Sequence, residues 1–124
     1  MDANAIVKLF ASPLGQRMLR AGRREREFKF SLLADAAEYF PDAGGEQVLL
    51  QGVVDCCFEE DGALTVVDYK TDAVRSDEEL AARAAYYAGQ LRAYAAALRR
   101  IFQKPVREGV LYFLSCGKEV AVSL

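Results

Sequence analysis

Apolar and polar positions repeat along this chain with a period that changes from segment to segment, and each period predicts an element. In Ala3 to Ala11, the residues Ile6, Val7, Leu9 and Phe10 form an apolar stripe, which predicts a helix. Ser12-Pro13 is a helix-start signal, so a second short helix should run to about Ala21 and stop at Gly22. Glu25 to Leu33 alternates, with Phe28, Phe30 and Leu32 on one side, and predicts a strand. Ala34 to Gly45 is polar, contains Pro41 and Gly44-Gly45, and reads as a loop. Gln47 to Glu59 and Ala63 to Thr71 are apolar runs flanking Asp61-Gly62, a strong hairpin signal.

Ser76-x-x-Glu79 is a capping-box pattern that opens an Ala-rich helix reaching about Phe102. Leu80, Ala84, Tyr87, Leu91, Tyr94 and Leu98 give it one stripe, while Gly89 weakens its middle enough to allow two pieces. Pro105 ends it. Gly109 to Leu114 reads as a buried strand, Cys116-Gly117 as a turn and Val120 to Ser123 as a last, edge-like strand. The order α–α–β–β–β–α–β–β predicts a mixed α/β sandwich with the long helix packed on the sheet.

Composition narrows the class. A chain of 124 residues, 52% hydrophobic and 27% charged, can bury a core and reads as one globular domain. No apolar run nears the ~18 residues of a membrane span, and no signal peptide is visible. With no histidine and only Cys56, Cys57 and Cys116, mixed Cys/His zinc patterns are excluded. Adjacent Cys56 and Cys57 point to opposite faces of a strand and read as small core residues, which fits a reducing cytoplasm. The net charge of −2 decides nothing by itself. Its distribution says more: Arg17, Arg20, Arg23, Arg24, Arg26 and Lys29 crowd one segment, and acids gather at Asp55 to Asp61 and Asp72 to Glu79. Basic clusters near acidic ones suit a phosphodiester substrate, and equally suit a solvated face.

The hairpin carries the candidate chemistry. A two-residue turn at Asp61-Gly62 puts Asp55 opposite Asp68 and Lys70 opposite Val53, with Asp68 and Lys70 on one face. Val53, Cys57, Leu64 and Val66 share that face; Val54, Cys56, Phe58 and Val67 take the other. Cross-strand carboxylates about 4.5–5.5 Å apart at Cβ destabilise a sheet. A divalent cation would relieve them, since Mg²⁺ is held by as few as one or two carboxylates with water and phosphate. The plain alternative is a half-exposed hairpin with a surface ion pair. On the later helix Gln90 and Tyr94 lie one turn apart; read plainly, they are a surface amide and a core aromatic.

Gly52-x-x-Asp55, the hairpin and Asp68-Tyr69-Lys70-Thr71 together resemble the core of the PD-(D/E)XK nucleases. The RecB-like branch, and within it the C-terminal nuclease domain of AddA-type helicase–nuclease subunits, shares Tyr87-x-x-Gln90-x-x-x-Tyr94, Phe10-Ala-Ser-Pro-Leu-Gly-Gln16 and Arg26-Glu27. The resemblance implies a restriction-endonuclease-like mixed sheet with flanking helices. It makes residues 1–124 a single nuclease domain, an N-terminally truncated fragment of a larger helicase–nuclease, with Met1 an artificial start. It implies Mg²⁺, with Mn²⁺ able to substitute, on Asp55, Asp68 and the Tyr69 carbonyl, and Lys70 orienting water or stabilising charge. Gln90 would order Lys70 or a phosphate, and Tyr94 would reach the DNA backbone. The implied activity is that of a metal-dependent DNA exonuclease in an ATP-dependent helicase/nuclease acting in double-strand break repair. The implied partners are DNA, the parent helicase domains and a second helicase–nuclease subunit, in the cytoplasm and with no membrane.

Two departures stand out. The branch usually has an upstream metal-binding histidine, and this chain has none. Glu27 falls where relatives carry a glutamate, but Lys29 replaces the usual proline, so Glu27 reads as an exposed strand residue. There is also no phosphate-binding Gly-x-x-x-x-Gly-Lys-Ser/Thr loop. The fragment is therefore expected to bind metal weakly and cleave poorly or not at all. Two other classes stay open: a catalytically inactive nuclease-like domain that docks DNA or a partner subunit, and a small stand-alone metal-dependent nuclease.

Overall fold

A computed structural model of the chain describes residues 3–38 and 40–124. Helices α1 (Ala3–Ala11) and α2 (Pro13–Arg20) precede strand β1 (Arg23–Asp35). A short 3₁₀ turn (Ala36–Glu38) leads toward β2 (Gln47–Glu60) and β3 (Ala63–Lys70), then come α3 (Asp77–Phe102), β4 (Val106–Phe113) and β5 (Lys118–Val122). The five strands form one sheet in chain order; β3 and β4 are parallel and the other neighbours antiparallel. The parallel step needs a long crossover, and α3 supplies it. This is the expected mixed α/β sheet with flanking helices. No helix among the described residues is long and apolar enough to cross a membrane.

The element ends follow local chemistry. Ser12 caps α2 by accepting from the Gly15 amide, with Pro13 at the first helical position. Ser76 caps α3 by accepting from the Glu79 amide, while the Glu79 carboxylate accepts from the Arg75 amide, one residue earlier than a capping box would have it. Asp77, Glu78 and Glu79 open α3 and Arg99 and Arg100 close it, each complementing the helix dipole. α3 is one continuous helix: Gly89 is on its exposed side, and buried Ala88, Leu91 and Ala95 hold the helix to the sheet around it. Gln103, in the left-handed region at φ 54°, ends it two residues before Pro105.

The sheet separates two cores. On one face Phe30, Val54, Cys57, Val66, Leu111 and Phe113 meet Leu91, Ala95 and Leu98 of α3. On the other Cys56, Phe58, Val67, Val110 and Tyr112 meet Leu9 of α1 and Leu14 and Met18 of α2. Val54 therefore packs with Cys57 and not with Cys56 and Phe58, contrary to strict alternation, and Val53 is 44% exposed. The slip has a visible cause. Arg26 pairs with Cys56 and Phe28 with Val54, but Glu27 between them sits at φ 48° and is skipped in the ladder, opposite Asp55. A left-handed residue re-aims the strand there as a bulge does.

Candidate active site

The hairpin turn lies at Asp61 and Gly62, both left-handed (φ 52° and 79°), as a two-residue primed turn requires. The resulting register runs from Glu60↔Ala63 to Cys56↔Val67 and stops. Asp55 and Asp68 are next in that register but are not ladder partners, and Lys70 does not pair with Val53. Beyond Cys56, β2 stays with β1, whereas β3 stays with β4 as far as Lys70↔Phe113. The sheet thus parts at the carboxyl end of β3, the end where α/β sheets usually place ligands.

Asp55 fills the parting. Its Oδ2 accepts a hydrogen bond from the Tyr69 amide at 2.8 Å, so a side chain takes the place of a strand carbonyl. The N–H and C=O of one strand residue point to the same edge, so the Tyr69 carbonyl also faces β2. The Tyr69 ring packs in the α1/α2 core, its hydroxyl toward the Met18 sulfur. The Asp55 and Asp68 carboxyls lie within hydrogen-bonding reach of each other. Burial first, and the Asp68 neighbour second, push the Asp55 carboxyl up to about 6, against the pull of the Tyr69 amide.

Asp68 is 7% exposed. Its Oδ2 is 2.9 Å from the Lys70 ammonium, but the contact lacks hydrogen-bond alignment and that buried oxygen has no other donor. Lys70 Nζ instead donates to Gln90 Oε1 at 3.1 Å, and Gln90 Nε2 donates to the Tyr94 hydroxyl at 3.2 Å. The Tyr94 ring meets Phe30 edge to face at a centroid distance of 5.6 Å. A Cβ on Gly52 would lie 2.8 Å from both rings, so the glycine of Gly52-x-x-Asp55 is the seat of this aromatic pair. The structure thus gathers Asp55, Asp68, Lys70, Gln90 and Tyr94 into one chain of contacts. Tyr94 enters it as a packing ring with a bonded hydroxyl.

Two residues outside the sequence-derived site join this chain. Lys70 Nζ stands 4.0 Å from the centroid of the Tyr87 ring, and the Tyr87 hydroxyl donates to the Asp72 carboxylate at 2.9 and 3.0 Å. That bond raises the Tyr87 phenol above its ordinary pKa. Tyr87 lies three residues before Gln90 on one helix face, and Asp72 two residues after Lys70; these spacings were the available signal. On the α1 side a cleft of about 450 Å³ reaches Asp55 and Tyr69 between Phe10, Arg26, Glu27 and Leu114. Glu27 is exposed on its rim.

The donor set suits a hard cation. Two carboxyls share one place, one carboxylate oxygen is buried and unbonded, and a backbone carbonyl faces them; oxygen donors of this kind hold Mg²⁺ or Mn²⁺. Among the described residues no three of His, Cys, Asp and Glu cluster as a metal site, so Asp55 and Asp68 are the acids this site offers.

Two acids and a lysine at a strand end, backed by a helical glutamine, define a nuclease-type site, and the chain belongs to the PD-(D/E)XK nuclease superfamily, whose family model matches residues 4–121. Its similarity to named relatives is equally direct. It is 44% identical over 124 residues to the A-type ATP-dependent helicase/nuclease subunit of Carboxydothermus hydrogenoformans, covering 98% of this chain and 10% of that relative. It is 39% identical over 125 residues to the same protein of Desulforamulus reducens, covering 98% and 10%, and 40% identical over 129 residues to that of Moorella thermoacetica, covering 99% and 9%. The chain spans about a tenth of the length of these curated relatives. Its fold is similar to the crystal structure of SSO0001, with a TM-score of 0.56 at 17% identity, covering 95% of this chain and 48% of the other.

Proposed function

We propose that this chain is the nuclease domain of an ATP-dependent helicase/nuclease, hydrolysing DNA phosphodiester bonds as an exonuclease in double-strand break repair. The convergence of Asp55 and Asp68 beside Lys70 carries the reading. Asp55, Asp68 and the Tyr69 carbonyl would hold Mg²⁺ or Mn²⁺, which when bound lowers the pKa of water and offsets phosphate charge. Lys70 keeps one cation at the open strand end, where it orients the attacking water or stabilises charge on the phosphate oxygens. Gln90 takes one Lys70 proton and so fixes the ammonium's direction. The buried walls of Val66, Leu91 and Leu111 exclude water from beneath the acids.

The similarity to helicase/nuclease subunits supports three kinds of partner in the cytoplasm: DNA, helicase domains and a second subunit. With two acids and no histidine, the chain alone binds metal weakly and cleaves slowly; the rest of a longer protein completes the site. Calorimetric titration of Mn²⁺ into the chain and into Asp68→Ala tests this. Binding in the first and none in the second is expected. Equal binding in both would sink the assignment and favour a nuclease-like domain that docks DNA or a partner.

A further inference from the structure

Lys70 is the mobile member of the site. A lysine ammonium is a compact charge on a flexible stem, with three donors and no fixed direction. Here two directions are taken, by Asp68 Oδ2 at 2.9 Å and Gln90 Oε1 at 3.1 Å. The Tyr87 ring stands beneath the ammonium at 4.0 Å from its centroid, well inside cation–π range. The ring is itself held. Its hydroxyl is clamped on both oxygens of Asp72, its edge meets Tyr86 at 5.1 Å, and Arg83 lies 3.8 Å from the same carboxylate. Ser115 Oγ donates to the Asp72 carbonyl at 2.6 Å, tying the stretch after β3 to the end of β4. A phenol that donates to a carboxylate gains electron density, and a richer ring face attracts a cation more strongly.

We propose that Tyr87, anchored by Asp72, is a positioning residue for Lys70, holding its ammonium at the Asp68 carboxylate. The role in cleavage rests on the nuclease reading; the placement of Lys70 does not. Without the ring the ammonium keeps two partners, one on the exposed helix face, and swings toward solvent. Leucine at 87 preserves apolar packing against the α3 core and removes only the π face, so the substitution separates the two roles.

The test uses the 124-residue chain without metal and then with saturating Mn²⁺. In proton–carbon NMR spectra the Lys70 side-chain methylenes should resonate upfield of the other lysines through the ring current. Tyr87→Leu should abolish that displacement, Tyr87→Phe retain it, and Asp72→Asn reduce it. In single-turnover cleavage of single-stranded DNA, Tyr87→Leu should be about tenfold slower and Tyr87→Phe slower by less than about threefold. In a Lys70→Ala background Tyr87→Leu should add nothing, because a positioning residue acts only through the group it positions. Unshifted Lys70 resonances in the unsubstituted chain, or an equal Tyr87→Leu penalty with and without Lys70, would overturn the proposal. A chain that neither binds metal nor cleaves would count against the nuclease reading, and the Lys70 resonances alone would then decide this one.

Discussion

The Tyr69 amide donates to Asp55 Oδ2 at 2.8 Å at the point where the β2–β3 ladder ends. One acid therefore closes the sheet and faces a second acid. Asp55→Asn should separate these tasks: its amide oxygen still accepts the Tyr69 proton, and the like-charge contact with Asp68 disappears. Chemical denaturation should show Asp55→Asn at least as stable as the natural chain, whereas Asp55→Ala, which orphans the Tyr69 amide, should lose about 1–3 kcal/mol. Both should abolish metal binding.

Proton and metal compete for Asp55. Its folded pKa of about 6 lies above the ordinary carboxylate value of 3.8, so the folded chain keeps a proton that the unfolded chain releases first. Without metal, stability should fall as pH rises from about 4 to about 6 and then level off. Mn²⁺ affinity should climb across the same window, by up to about tenfold per pH unit below 6, and reach a plateau above it. Titrations at several pH values across this window check this, and Asp55→Asn should flatten the stability slope.

Gly52 is where backbone packing meets the site. An added Cβ at 2.8 Å from Phe30 and Tyr94 must push two rings out of an edge-to-face pair. Gly52→Ala should lower stability by about 1–3 kcal/mol in urea denaturation. Because Tyr94 bonds Gln90, and Gln90 bonds Lys70, it should slow cleavage as well; unchanged turnover would break that link.

Far from the acids, Arg17 ties α2 to the hairpin tip and to β4, reaching Glu60 at 2.8 Å and Glu108 at 2.7 Å. The two carboxylates raise the already high Arg17 pKa further. The three side chains are 26–31% exposed, so solvent screens the gain. Arg17→Met should cost about 1 kcal/mol, less at high salt, and leave metal binding intact.

How much of this was legible beforehand depended on distance along the chain. Ser12-Pro13, Ser76 and the Asp61-Gly62 turn act through neighbours, so helix starts, the turn and the register as far as Cys56↔Val67 were readable from local patterns. The motif Gly52-x-x-Asp55 with Asp68-Tyr69-Lys70 pointed to the family because its spacing is also local. Where the two strands part was not readable. It follows from Glu27 at φ 48° on one side and from β3 continuing along β4 on the other, both choices made between distant segments. Period-2 alternation therefore put Val54 beside Cys56, whereas the slip at Asp55 sends it to the α3 core. The tertiary structure likewise decided that Tyr94 rests on Gly52 and that Tyr87 lies beneath Lys70. A residue's own sequence states its helix face; only the packing of α3 across β3 states which strand residue that face meets.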